Sequence, residues 1–136
     1  MKVAAEVMEI IRNEMEADTC VVLAYVFGST ARGETTPQSD IDIGVLFSPE
    51  ADEEPAHGEL MDALCRALAT DRIDLVPMNR APVPLRFRIV RDGKLLVCRD
   101  DAVRQRFVAD TVMRYLDFKP LREQAFRVAR DSILRT

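Results

Sequence analysis

The rhythm of apolar and polar positions changes several times along the chain. Val3, Val7, Ile10, Ile11 and Met15 recur at helical spacing and predict an amphipathic first helix. An unbroken apolar run from Cys20 to Phe27 then reads as a buried strand. A second strand-like run follows Asp40, with Ile41 and Ile43 on one side and Asp42 on the other. Small and polar residues join the two runs. After an acidic loop from Ser48 to Gly58, Leu60, Leu64, Ala67 and Leu68 predict a second helix, roughly Gly58 to Ala69. Ile73 to Val76 has strand character. Val83, Phe87 and Val90 predict a short helix that begins among prolines and is stopped by Gly93. Leu95 to Cys98 reads as a fourth strand, at a sheet edge. Asp100 or Asp101 can then cap a long helical tail carrying Val103, Phe107, Val112, Tyr115 and Leu116. Pro120 is expected to kink or restart that tail, and Phe126 and Val128 continue it. The tail's apolar stripe is expected to pack on the sheet; the part beyond Pro120 suits a partner as well.

This order of elements predicts an α/β protein of the α+β kind: a short mixed sheet flanked by helices, with a helical tail from about residue 100 to 136. With 136 residues and no repeat, low-complexity tract or linker, one domain is expected over 1–136. The net charge of −4 argues against a broad nucleic-acid-binding face, which is ordinarily basic. Cys20, Cys65 and Cys98 lack metal-site spacing and sit among apolar residues, so they read as buried thiols. Their odd number and the lack of a secretory leader point to the cytoplasm. No apolar stretch approaches the ~20 residues that span a bilayer. His57, the single histidine, is expected in the acidic loop rather than as a catalytic base.

Candidate chemistry lies between the first two strands, in GSTARGETTPQSDIDIGVLF from Gly28 to Phe47. Residues i and i+2 of a strand share a face, so Asp40 and Asp42 stand together. Paired carboxylates repel unless a cation lies between them. Mg²⁺ is commonly held by one or two carboxylates plus substrate phosphates. Gly28 allows a backbone turn to close against a ligand. Ser29 offers a hydroxyl and, at a helix start, free backbone N–H groups for phosphate. Arg32 is a candidate for a charge-assisted phosphate contact. A two-metal site needs a further carboxylate. Asp74, between Ile73 and Leu75, is the best candidate, and Asp71 a weaker one.

Gly28-Ser29, ten residues, then Asp40-x-Asp42 resembles the signature of the DNA polymerase β-like nucleotidyltransferase superfamily. The fuller strings Gly28-Ser29-Thr30-Ala31-Arg32-Gly33 and Ser39-Asp40-Ile41-Asp42-Ile43 resemble its minimal branch, the MNT-domain or MntA-type proteins. The likeness continues through Asp74, Gly93-Lys94-Leu95-Leu96 and Arg114-Tyr115-Leu116-Asp117. It implies the nucleotidyltransferase fold and the antitoxin of a two-gene toxin–antitoxin system. The implied partner is an all-helical HEPN-domain ribonuclease toxin, possible as a hetero-oligomer. The implied reaction is transfer of AMP from ATP to a tyrosine hydroxyl of that toxin. The resemblance further implies Asp40, Asp42 and Asp74 as ligands of two Mg²⁺ ions, with Mn²⁺ as a substitute, and Gly28 and Ser29 as triphosphate holders. No direct nucleic-acid or membrane contact is expected.

Other classes have less to stand on. The chain has neither Gly-x-Gly-x-x-Gly nor a Walker Gly-Lys-Ser/Thr, which argues against dinucleotide-binding and P-loop enzymes. A small-molecule nucleotidyltransferase of the aminoglycoside-modifying type stays open, as does an antitoxin that works only by binding.

Overall fold

The computed structural model describes residues 4–34 and 39–134. Val3 and part of the polar loop before Asp40 therefore lie outside the described residues. The elements, in order, are α1 (Ala4–Ala17), β1 (Val21–Phe27), α2 (Gly28–Ala31), β2 (Ile41–Phe47), α3 (Glu53–Leu68), β3 (Ile73–Pro77), α4 (Val83–Asp92), β4 (Lys94–Cys98) and α5 (Asp101–Leu134). The four strands form one mixed sheet in the order β3-β2-β1-β4. β1 is antiparallel to both β2 and β4, whereas β2 and β3 run parallel, joined by the α3 crossover.

Alternation along the strands gives the sheet two apolar faces. Val26, Ile41, Ile43, Val45, Ile73 and Leu75 face Val7, Ile11 and Met15 of α1 and Leu60 and Leu64 of α3. Leu23, Tyr25 and Phe27 face the other way, toward Met78, Ile89 of α4 and Phe107 of α5. Ile11, Ile43 and Leu64 are fully buried, each worth roughly 1.5–3 kcal/mol relative to exposure.

Polar groups fasten the ends of these elements. The Arg99 guanidinium, just past β4, donates to the carbonyls of Val21 (2.6 Å), Asp18 (3.0 Å) and Met15 (3.4 Å), and also to that of Glu16. It thereby satisfies carbonyls at the end of α1 that lack intrahelical partners. The Asn79 side chain pairs with both backbone groups of Phe47, accepting from its N–H at 2.9 Å and donating to its carbonyl at 3.0 Å. Asp100 caps α5, accepting from Ala102 N–H at 3.0 Å and Val103 N–H at 3.3 Å.

Several sequence expectations are corrected. The second helix starts at Glu53 rather than near Gly58. Pro55 is tolerated there because the first turn needs no intrahelical N–H donors. His57 is accordingly a helical residue, its Nε2 lying 2.8 Å from the Leu75 carbonyl. α5 does not restart at Pro120, which lies inside a single helix. Its apolar stripe packs only in part: Phe107 is buried, but Leu116 is 60% and Phe126 77% exposed. Cys98 is exposed on the edge strand, and Cys20 and Cys65 are half-buried.

Candidate active site

Phe27, Asp42 and Asp74 form one row across three strands. Phe27 pairs with Asp42 between β1 and β2, and Asp42 pairs with Asp74 between β2 and β3. Directly opposed residues share a face, and adjacent strands lie about 4.8 Å apart, so the two carboxylates are neighbours by construction. Asp40 stands two residues before Asp42, where Ile41 N–H donates to the Arg72 carbonyl at 2.9 Å. Asp40 and Asp74 are exposed, whereas Asp42 is half-buried.

The turn after β1 brings the backbone against this row. Gly28 has φ +68°, a left-handed conformation that side chains disfavour. A Cβ on Gly28 would run into the Asp42 carboxylate, its Cγ only 3.3 Å away. The sequence therefore keeps bare backbone where the chain crosses the carboxylate. From Gly28 the chain enters the single turn of α2, closed by Arg32 N–H donating to the Gly28 carbonyl at 3.3 Å. Ser29 lies half-buried in this turn. Thr30 is buried beside it, and its hydroxyl has no hydrogen-bond partner among the described residues.

Asp42 carries the electrostatic signature of the site. Burial pushes its carboxyl above the usual carboxylate range, and the charges of Asp74 and Asp40 push it further. The guanidinium groups of Arg88 and Arg32 oppose that shift. Three carboxylates that act on one another are a hard-oxygen donor set suited to Mg²⁺ or Mn²⁺. Among the described residues no three such side chains are closed around a single point. Asp42 and Asp74 share a face, and the charges of both Asp74 and Asp40 reach Asp42. Carboxylate oxygens are the donors that a divalent ion of this kind takes, and the bare Gly28 backbone passes directly beside that of Asp42.

The other candidates divide. Gly28 and Ser29 stand at the carboxylate row. Arg32 is exposed and pairs with Glu34 at 3.0 Å, so much of its charge is already answered. Arg88 of α4 was not singled out by the sequence, where it is one arginine among many. The signal available was its place just before Ile89, in the only apolar helix face between β3 and β4.

Comparisons with known proteins agree with this geometry. The family model described as polymerase beta, nucleotidyltransferase matches residues 9–102. The chain is 37% identical over 95 residues to the protein adenylyltransferase MntA of Shewanella oneidensis, an overlap of 68% of this chain and 65% of that curated relative's length. Among solved structures it is similar to a toxin–antitoxin crystal structure with AMP-PNP, at TM-score 0.74 and 29% identity over 88% of this chain and 95% of that one. It is also similar to a structure of tri-AMPylated Shewanella oneidensis HEPN toxin in complex with MNT antitoxin, at TM-score 0.64 and 27% identity over 91% and 92% of the two chains. With the carboxylate row, the Gly28 turn and this match over most of its length, the chain belongs to the polymerase beta nucleotidyltransferase family.

Proposed function

We propose that this protein is the antitoxin of a HEPN/MNT pair and acts as a protein adenylyltransferase. Its reaction transfers AMP from ATP to a tyrosine hydroxyl of the cognate HEPN ribonuclease toxin. The observation that carries the reading is the Asp42–Asp74 register pair, with Asp40 beside it and Gly28 pressed against Asp42. The similarity to a protein adenylyltransferase supplies the substrate class.

In this reading Asp40, Asp42 and Asp74 hold two Mg²⁺ ions, or Mn²⁺ in their place. Bound divalent ions supply charge stabilisation for the entering and leaving oxygens. Gly28 and Ser29 hold the triphosphate on backbone N–H groups and the serine hydroxyl. The tyrosine oxygen bonds to the α-phosphorus, the bond from that phosphorus to the bridging oxygen breaks, and pyrophosphate leaves. Asp74 takes the hydroxyl proton. Half-burial of Asp42 excludes part of the water that would otherwise weaken these charges. A reaction that draws on ATP suits the cytoplasm. Among the described residues no helix is long and apolar enough to cross a membrane.

Mass spectrometry of the toxin co-expressed with this chain tests the reading. One or more AMP-sized increments on a tyrosine are expected. A toxin that is neutralised yet unmodified would overturn it.

A further inference from the structure

Helix α4 lies on the face of the sheet that bears the carboxylates. Asp42 and Gly44 are two apart on β2 and share that face. α4 rests on Gly44: a Cβ there would lie 3.2 Å from Ile89 Cγ2 and 3.1 Å from Met78 Sδ. Arg88 immediately precedes Ile89 and is exposed. Its charge registers at Asp42 and at Asp92.

Three nearby arginines are already committed. Arg86 is held on Thr111 at 3.1 Å and stacks over Phe107 at 4.6 Å. Arg91 forks onto Asp92 at 2.9 and 2.8 Å, and Arg32 pairs with Glu34. Among the described residues Arg88 has no ion pair or hydrogen bond. It borders a cleft of about 510 Å³ between α4 and α5, which Arg91, Arg122, Phe87 and Tyr115 also line.

We propose that Arg88 is a catalytic residue of this enzyme, its guanidinium contacting the phosphate chain of the nucleotide as pyrophosphate leaves. The proposal rests on the nucleotidyl-transfer reading and adds a residue to it. Breaking the bond between the α-phosphorus and the bridging oxygen leaves an additional negative charge on the departing pyrophosphate. A planar guanidinium with two parallel N–H groups matches phosphate oxygens better than an ammonium does. An arginine without a carboxylate partner needs no ion pair broken before it binds. Its position on α4, which is anchored by buried Ile89, fixes the backbone from which that side chain reaches.

The test titrates ATP, AMP and adenosine with Mg²⁺ into the full chain, its Arg88→Ala and Arg88→Lys variants, and Arg12→Ala as a charge control on α1. AMP transfer to the co-purified toxin is timed in parallel. Arg88→Ala is expected to weaken ATP binding about tenfold or more, with adenosine unaffected, and to slow transfer by roughly 10²–10³-fold. Arg88→Lys should recover part of both, and Arg12→Ala should match the wild type. A large rate loss at unchanged ATP affinity also supports the proposal, since it marks a contact made in the transition state. Wild-type ATP binding and transfer in Arg88→Ala overturn it, as does an equal loss for ATP and adenosine. If the wild type binds ATP but modifies no toxin, the toxin reading falls while the binding series still judges Arg88. If the wild type binds no ATP, both fall.

Discussion

Asp42 shows at the scale of one residue how function is set against stability. Its carboxyl is held above the usual range by burial and by Asp74 and Asp40. At low pH the group is protonated in both folded and unfolded chains and contributes nothing. As pH rises past the unfolded value, the unfolded chain ionises first, so the metal-free fold loses stability until Asp42 itself ionises. Asp42→Asn removes that penalty. The metal-free variant is therefore expected to melt above the wild type at pH 7 in chelator, with the difference shrinking toward pH 3, while the proposed adenylyl transfer is lost. Scanning calorimetry across that pH range checks it, and a lower melting point for the variant at pH 7 would contradict it. Gly28→Ala is expected to act in the opposite sense. It places a Cβ against the Asp42 carboxylate at positive φ, and should cost about 1–3 kcal/mol of stability as well as ATP binding. Denaturant unfolding measures that loss. The sequence marked Gly28, Ser29, Asp40, Asp42 and Asp74 because turn and strand spacing are local properties. It named Arg32 and not Arg88, because which helix crosses the carboxylate face is not a local property.

At the scale of elements, the strands were legible because β2 and β3 each set one acidic residue between apolar ones near their start and β1 is apolar almost throughout. Their partners were not: nothing local states that β2 pairs parallel with β3 or that β4 lies beside β1. Helix limits failed where a polar run hid a helix start. Glu53 and Glu54 suit the positive end of α3, and Pro55 is harmless in a first turn, yet together they read as loop. The tail's uncertainty has the same root, since Pro120 removes one backbone donor but does not end α5. Arg99 is the clearest inter-element fastener, because one guanidinium serves carbonyls at the end of α1 and the start of β1. Arg99→Ala is expected to destabilise the fold by about 2–3 kcal/mol, through lost charge-assisted bonds and carbonyls left without donors. Arg99→Lys should restore only part, since an ammonium cannot fan out over the same set. Urea unfolding of the two variants checks the order, and equal stability of both with the wild type would refute the fastening role.

At the scale of the whole molecule, the body and the tail divide the work. The carboxylate row sits on the compact sheet, while α5 carries exposed Met113, Leu116, Phe126 and Val128 away from the core. An exposed apolar set on a charged helix suits partner contact. Under the proposed function a toxin would be silenced in one of two ways, by covalent modification at the carboxylates or by occlusion along the tail. The Asp40→Asn, Asp42→Asn double variant separates them. It nearly preserves side-chain size but removes two of the three charges that hold divalent ions, leaving the developing phosphoryl charge without stabilisation. Rate losses of several orders of magnitude are expected from such a change. α5 is untouched, so the complex with the toxin should still form. The expected outcome is a folded variant that co-purifies with the toxin, adds no AMP-sized mass to it, and leaves its ribonuclease activity intact. Size-exclusion chromatography, intact-mass measurement and an RNA-cleavage assay on the same sample read all three. Full neutralisation by the folded double variant would show that occlusion suffices, and would overturn the proposed adenylyl transfer as the means of silencing a toxin.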